Sequence, residues 1–252
     1  MDCILKTPGV TEEELGLINA LAKTPMTAEQ VYTFRVRLCD NRVDRDYERF
    51  SRKALEKLAE LFVGKCGLFD HSWTASGQTA RLYKTEVAEE GGVTEAGEPV
   101  CSLMGWAYMP RLPENEGLIA QIEAGIKKEV SVGCAVGRSV CSICGRERGQ
   151  CEHLGGRQYD GRTCYFTLED PTDAYEWSFV AVPAQRKAGV VKGMDRGLLS
   201  AADVDRIADR AAQRLRSLLE PAPGAPPPAE DERVTKLAQA RLELEKIRFG
   251  GI

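Results

Sequence analysis

The segment from Cys141 to Cys164 constrains this chain more than any other. Its 24 residues hold four of the nine cysteines and one of only two histidines, spaced Cys141-x2-Cys144, then Cys151-x-His153, with Cys164 following. Gly145, Gly149, Gly155 and Gly156 are interleaved, and apolar side chains are sparse. Such a stretch cannot bury a core of its own. A knuckle of soft ligands around a tetrahedral ion supplies what the apolar content does not, on the order of 10 kcal/mol in finger-like peptides. The spacing therefore predicts a Zn²⁺ site formed by Cys141, Cys144, Cys151 and His153, with Cys164 as the alternative to His153. Four protein ligands leave no open position for water, so the ion is expected to be structural.

The bulk numbers exclude several classes. A chain of 252 residues with a formal charge of −4 can bury one sizeable core with an accessory piece. It presents no global field for nucleic acid or anionic lipid. No apolar run approaches the ~18 residues of a bilayer span, and Met1-Asp2-Cys3-Ile4-Leu5-Lys6 lacks a secretory pattern. The expectation is a soluble intracellular protein without membrane or nucleic-acid partners. The five remaining cysteines, scattered singly, read as small buried hydrophobes.

Periodicity organises the rest. Thr11 and Glu14 form a capping-box pattern before Leu15, Ile18, Leu21 and Ala22 on one helical face, and Pro25 ends that helix. Val31–Leu38 reads as a strand, 40–46 as a polar turn, and Ser51 as the cap of a helix carrying Ala54, Leu55, Leu58, Leu61 and Phe62. Short strands are predicted before His71, over Thr79–Val87 and over Val100–Met109, with a loop at 89–98. A helix over Glu114–Lys128 would turn Leu118, Ile119, Ile122 and Ile126 inwards. Strands at 129–137 and Glu176–Val182 follow, the latter closed by Pro183, with the cysteine-rich insert at 138–165 between them. The domain reading is a helical segment at 1–30, a main domain at 31–192 and a helical tail at 193–252 carrying a Pro-rich linker at 221–229.

His71 and Ser131 are the residues for chemistry. A serine hydroxyl needs a base within hydrogen-bond reach, itself oriented by a third group. Strand alternation puts Ser131, Gly133 and Ala135 on a small-residue face, opposite Val130, Val132, Cys134 and Val136. Gly133 leaves room for backbone N–H groups as oxyanion donors, and Cys134 reads as core. The same alternation turns Asp70 away from His71.

Three blocks resemble the prohead (capsid maturation) serine proteases of tailed phages, relatives of the herpesvirus assemblins. They are Asp44-Arg45-Asp46-Tyr47-Glu48-Arg49-Phe50-Ser51 running on to Asp70-His71-Ser72, then Val130-Ser131-Val132-Gly133, and lastly Glu176-Trp177-Ser178-Phe179-Val180-Ala181-Val182-Pro183-Ala184. Together they span roughly residues 30–192. The resemblance implies Ser131 as nucleophile and His71 as base. Glu176 is the expected third member, with Asp173 the runner-up, and Arg186 joins Gly133 as an oxyanion candidate. Family members tend to have Ala-Asn-Pro where this chain has Ala184-Gln185-Arg186, which puts Arg186 in doubt.

The resemblance further implies an α+β fold with a small β-barrel core flanked by helices. It implies a serine endopeptidase working in the host cytoplasm inside an immature phage prohead. Such an enzyme cuts scaffold and major capsid protein segments and itself, with no catalytic cofactor, and homo-oligomerisation is compatible with it. The competing reading is a non-catalytic, zinc-stabilised capsid assembly or scaffold protein.

Overall fold

The computed structural model describes residues 10–191, so the predicted tail at 193–252 and its linker lie outside the described residues. The fold is mixed α+β and mostly sheet. Helix α1 (Glu12–Leu21) starts where the sequence places it: Glu14 N–H donates to Thr11 Oγ1 at 3.2 Å, and Thr11 N–H donates back to Glu14 Oε2 at 3.0 Å. Its buried Ile18 packs with Val31, Tyr83, Trp106 and Tyr108, so this segment belongs to the main body.

The first sheet is antiparallel. Strand β1 (Val31–Asp40) pairs with β5 (Pro99–Pro110), which pairs with β4 (Arg81–Val93), and β10 (Gly189–Val191) covers the other edge of β1. The loop expected at 89–98 is a tighter hairpin, because β4 runs on to Val93 and Thr94 Oγ1 accepts from the Ala96 and Glu98 amides. The second sheet is built around β9 (Phe166–Phe179). Its partner along one edge is β6 (Val130–Cys141), antiparallel; along the other run β2 (Glu48–Phe50) and β3 (Gly67–Phe69), both parallel.

Helix α2 (Arg52–Phe62), capped by Ser51 Oγ accepting from Ala54 N–H, buries Ala54, Leu55, Leu58 and Phe62 in the main core, which also holds Trp177, Phe179, Leu38 and Leu103. The expected closed barrel is not formed by the ladders. The margins of the two sheets meet instead through single bridges, Cys66 to Arg81 and Glu129 to Gly189. No helix of the described residues is long and apolar enough to cross a membrane.

Two further departures have local causes. Helix α3 (Pro113–Glu123) stops short of the expected Lys128 because Gly125 adopts φ +72°, and Ile126 is left 70% exposed rather than facing inwards. Strand β9 starts ten residues before the expected Glu176 and ends at Phe179 rather than Val182. It absorbs Asp170 (φ 51°) and Pro171 at an irregularity between Ala135 and Val136 of β6. A bulge lets a strand carry a proline and a polar residue that would otherwise read as a turn.

Candidate active site and metal centre

The register of β6 on β9 builds the first site. Ser131 lies opposite Ser178, and Gly133 opposite Glu176. These four share one face of the ribbon, while Val130, Trp177 and Phe179 go into the core on the other. Glu176 is buried, and a Cβ at position 133 would overlap its Oε1. Gly133 thus makes space for the carboxylate.

His71 is brought to this face by the turn that follows β3. Asp70 (φ 50°) and His71 (φ 53°) are consecutive left-handed residues, a conformation that non-glycine residues adopt at a cost. Backbone contacts hold the turn: Asp70 N–H donates to Phe179 O at 3.0 Å, and His71 N–H donates to Ser178 Oγ at 3.2 Å. His71 Nδ1 then meets Glu176 Oε1 at 2.7 Å, and Ser178 Oγ donates to Glu176 Oε2 at 2.5 Å. Both carboxylate oxygens are engaged, as a buried carboxylate requires. The pairing fixes the Nδ1–H tautomer and leaves Nε2 free on a side chain that is 40% exposed.

Of the sequence-derived candidates, the structure therefore joins His71 and Glu176 directly. It sets Ser131 on their face, one cross-strand pair from Ser178, without a hydrogen bond from its hydroxyl to either. Asp173 is elsewhere, opposite Ala135 and 3.4 Å from Lys65 Nζ. Asp70 is exposed, and it is Glu176 that meets the imidazole. Arg186 is exposed in the Gln185–Ala188 turn, and Ala188 O accepts from Val130 N–H at 3.4 Å, so that turn runs beside the Ser131 end of β6. Gln185, by contrast, is buried and accepts from Asp40 N–H at 3.2 Å.

Ser178 is the residue that sequence reading passed over. Its signal was present: Glu176 and Ser178 are i and i+2 in a strand, so they must share a face. An exposed aromatic pair flanks the site, Trp73 and Tyr175, with ring centroids 5.3 Å apart. Cys134 packs against the core, and burial pushes its thiol up to about 11.

The second site is in the insert. The donor atoms of Cys141, Cys144, Cys151 and His153 all lie within 4.8 Å of one another. Four ligands around one Zn²⁺ sit roughly 3.5 Å apart, so this set needs only small closure. His153 Nδ1 is buried without a hydrogen-bond partner, and its ring stacks edge-on against Tyr159 at 4.5 Å. A buried imidazole nitrogen with no partner fits a ligand atom.

Burial pushes the Cys141 thiol up. Hydrogen bonds from the Cys144 and Ile143 amides, and then from the thiols of Cys144 and Cys151, outweigh it and bring the thiol down to about 6. Cys164 lies behind the cluster, its sulfur 3.9 Å from that of Cys141, and burial first of all holds its thiol up at about 11. The four donor atoms brought together are those of the set with His153, and Cys164 touches that set at Cys141.

The insert docks on the 44–50 block. Gly156 (φ +82°) lies so close to the Tyr47 ring that a side chain there would overlap it, and Arg148 pairs with Glu48. A small hairpin, β7 (Gln158–Tyr159) and β8 (Arg162–Thr163), turns through Asp160-Gly161, both left-handed, as a tight two-residue turn demands. All cysteines among the described residues are unbridged.

Comparison with protein-family models, with curated proteins and with solved structures finds no match.

Proposed function

We propose that this chain is a serine endopeptidase of the prohead-maturation type, with Ser131 as nucleophile, His71 as base and Glu176 as the group that orients it. The observation that carries the reading is the His71–Glu176 pair held on the face of β6 and β9 that bears Ser131. In the reaction, His71 Nε2 takes the Ser131 hydroxyl proton as Oγ bonds to the scissile carbonyl carbon. The same proton passes to the leaving amine as the C–N bond breaks. Water, deprotonated by His71, then releases the acyl group and restores Ser131.

Glu176 stabilises the imidazolium formed on the way, and Ser178 positions Glu176. Backbone N–H groups near Gly133, with Arg186 in the adjacent turn, are the candidates for holding the oxyanion. General-base assistance is worth ~10² to 10⁴-fold and one oxyanion donor ~10² to 10³-fold. Triad hydrogen bonds are often long before substrate binds, which accommodates the unbonded Ser131 hydroxyl.

The substrates of this reading are extended segments of phage scaffold and major capsid protein, and the chain itself, inside an immature shell. The assemblin likeness of this reading rests on the site residues and their order, not on a closed barrel, since only single bridges tie the margins of the two sheets. Cys141, Cys144, Cys151 and His153 would hold Zn²⁺ in a structural role on this reading.

Intact mass of the wild type beside Ser131→Ala, followed over hours at neutral pH, tests the reading. The wild type is expected to trim itself beyond residue 193 while the variant stays whole. If both stay intact, even mixed with scaffold and capsid protein, a non-catalytic assembly protein is the better description.

A further inference from the structure

We propose that the metal-held insert is a stop that fixes how much of an extended polypeptide can pair along the outer edge of β6; this rests on the peptidase reading above. Among the described residues, that edge is covered only at its ends. At the start, Glu129 bridges Gly189 and Val130 N–H donates to Ala188 O. At the far end the chain turns through Cys141-Ser142-Ile143-Cys144 and doubles back. Cys141 N–H then donates to Arg146 O at 2.9 Å, Arg148 N–H donates to Ser139 O at 2.7 Å, and Val140 bridges Glu147.

Between these covers, from Ser131 to Arg138, no strand of the described residues pairs with the edge. Eight residues at about 3.4 Å each give an open length of roughly 27 Å. Val130 turns its N–H to this edge, so strand alternation turns the backbone groups of Val132 to it as well.

An unpaired strand edge of this kind is a template for strand addition. A polypeptide laid antiparallel on it runs from the knuckle towards Ser131. The residues on the N-terminal side of its scissile bond then occupy the stretch between Ser131 and the insert. What ends that stretch is the metal-ligand turn itself. Cys141 and Cys144 bracket it, and Gly145 N–H donates to Cys141 O at 2.9 Å. Metal binding therefore holds Arg146–Arg148 against β6, helped by Glu48 and by the Phe166 ring, 4.4 Å from the Arg148 guanidinium. Without metal the covering strand is free to leave, and the open edge lengthens towards Cys141.

The test uses full-chain Ser131→Ala protein, zinc-loaded and chelated. Hydrogen exchange at the Cys141 and Arg148 amides is expected to quicken at least tenfold on chelation, while the ladder between β6 and β9 near Ser131 keeps its protection. Equal protection in both states overturns the proposal. Ser131→Ala with Arg148→Pro, zinc-loaded, removes one covering N–H and leaves every ligand in place.

Peptides tiling residues 193–252 are the probes, and the best binder is then lengthened one residue at a time on its N-terminal side. Affinity for the zinc-loaded single variant should rise with length and then plateau, and the plateau should come later in the double variant. An unmoved plateau sinks the idea of a stop. If exchange responds to zinc as expected but no peptide binds either protein, it is the peptidase reading that fails.

Discussion

A methyl group at position 133 would meet Glu176 Oε1, and Glu176 can neither move into the core nor give up its partners without leaving a buried carboxylate unsatisfied. At the scale of single residues the proposed site is therefore a chain of dependencies. Gly133 admits Glu176, Ser178 and Glu176 satisfy each other, and both hold His71. Gly133→Ala should cut cleavage about 10²-fold or more through the displaced His71. Its far-ultraviolet circular dichroism should stay that of the wild type. Activity within twofold of wild type would show that the carboxylate does not position the base. The His71 and Glu176 partnership was legible in the sequence through block order, and the place of Ser178 through alternation. The space-making role of Gly133 was not, because it depends on which residue of β9 lies opposite, and register is a property of two strands together.

At the scale of elements, what could be read was whatever carried a local signal. The capping box at Thr11, the Ser51 cap and the β-branched run from Val31 all fell where they were expected. Ser51→Ala should cost about 1 kcal/mol by leaving the Ala54 amide without its cap, measurable as a lower denaturant midpoint at unchanged slope. Strands β2 and β10 were missed for the opposite reason. They are short, and Glu48–Phe50 and Gly189–Val191 have almost no pattern of their own and exist because β9 and β1 offer edges. Strand β9 was cut short in the reading because Glu169-Asp170-Pro171 has the composition of a turn, and only a bulge opposite β6 lets it continue.

At the scale of the whole molecule, the apolar interior falls into separate parts. The cluster that Cys141 and Cys164 form with Phe166 at the start of β9 is distinct from the main core around Trp177 and Leu103 and from the one around Trp106 and Ile18. Chelation should therefore melt the insert as its own low-temperature transition in calorimetry and shift the main transition by only a few degrees. Loss of the whole fold in one step would show instead that the metal holds both sheets. The cysteine spacing announced this satellite, but its docking against Tyr47 and Glu48 could not be read from it, since that contact joins residues about a hundred positions apart.

The pairing of Ser131 with Ser178 has a consequence in time. A slip of one residue between β6 and β9 would turn Ser131 to the core and bring Val132 to the surface. A peptidase built on this ribbon is thus inert until its longest hairpin has closed in the native register. On that reading a newly made chain carries its own delay, and cutting can begin only after the fold is complete.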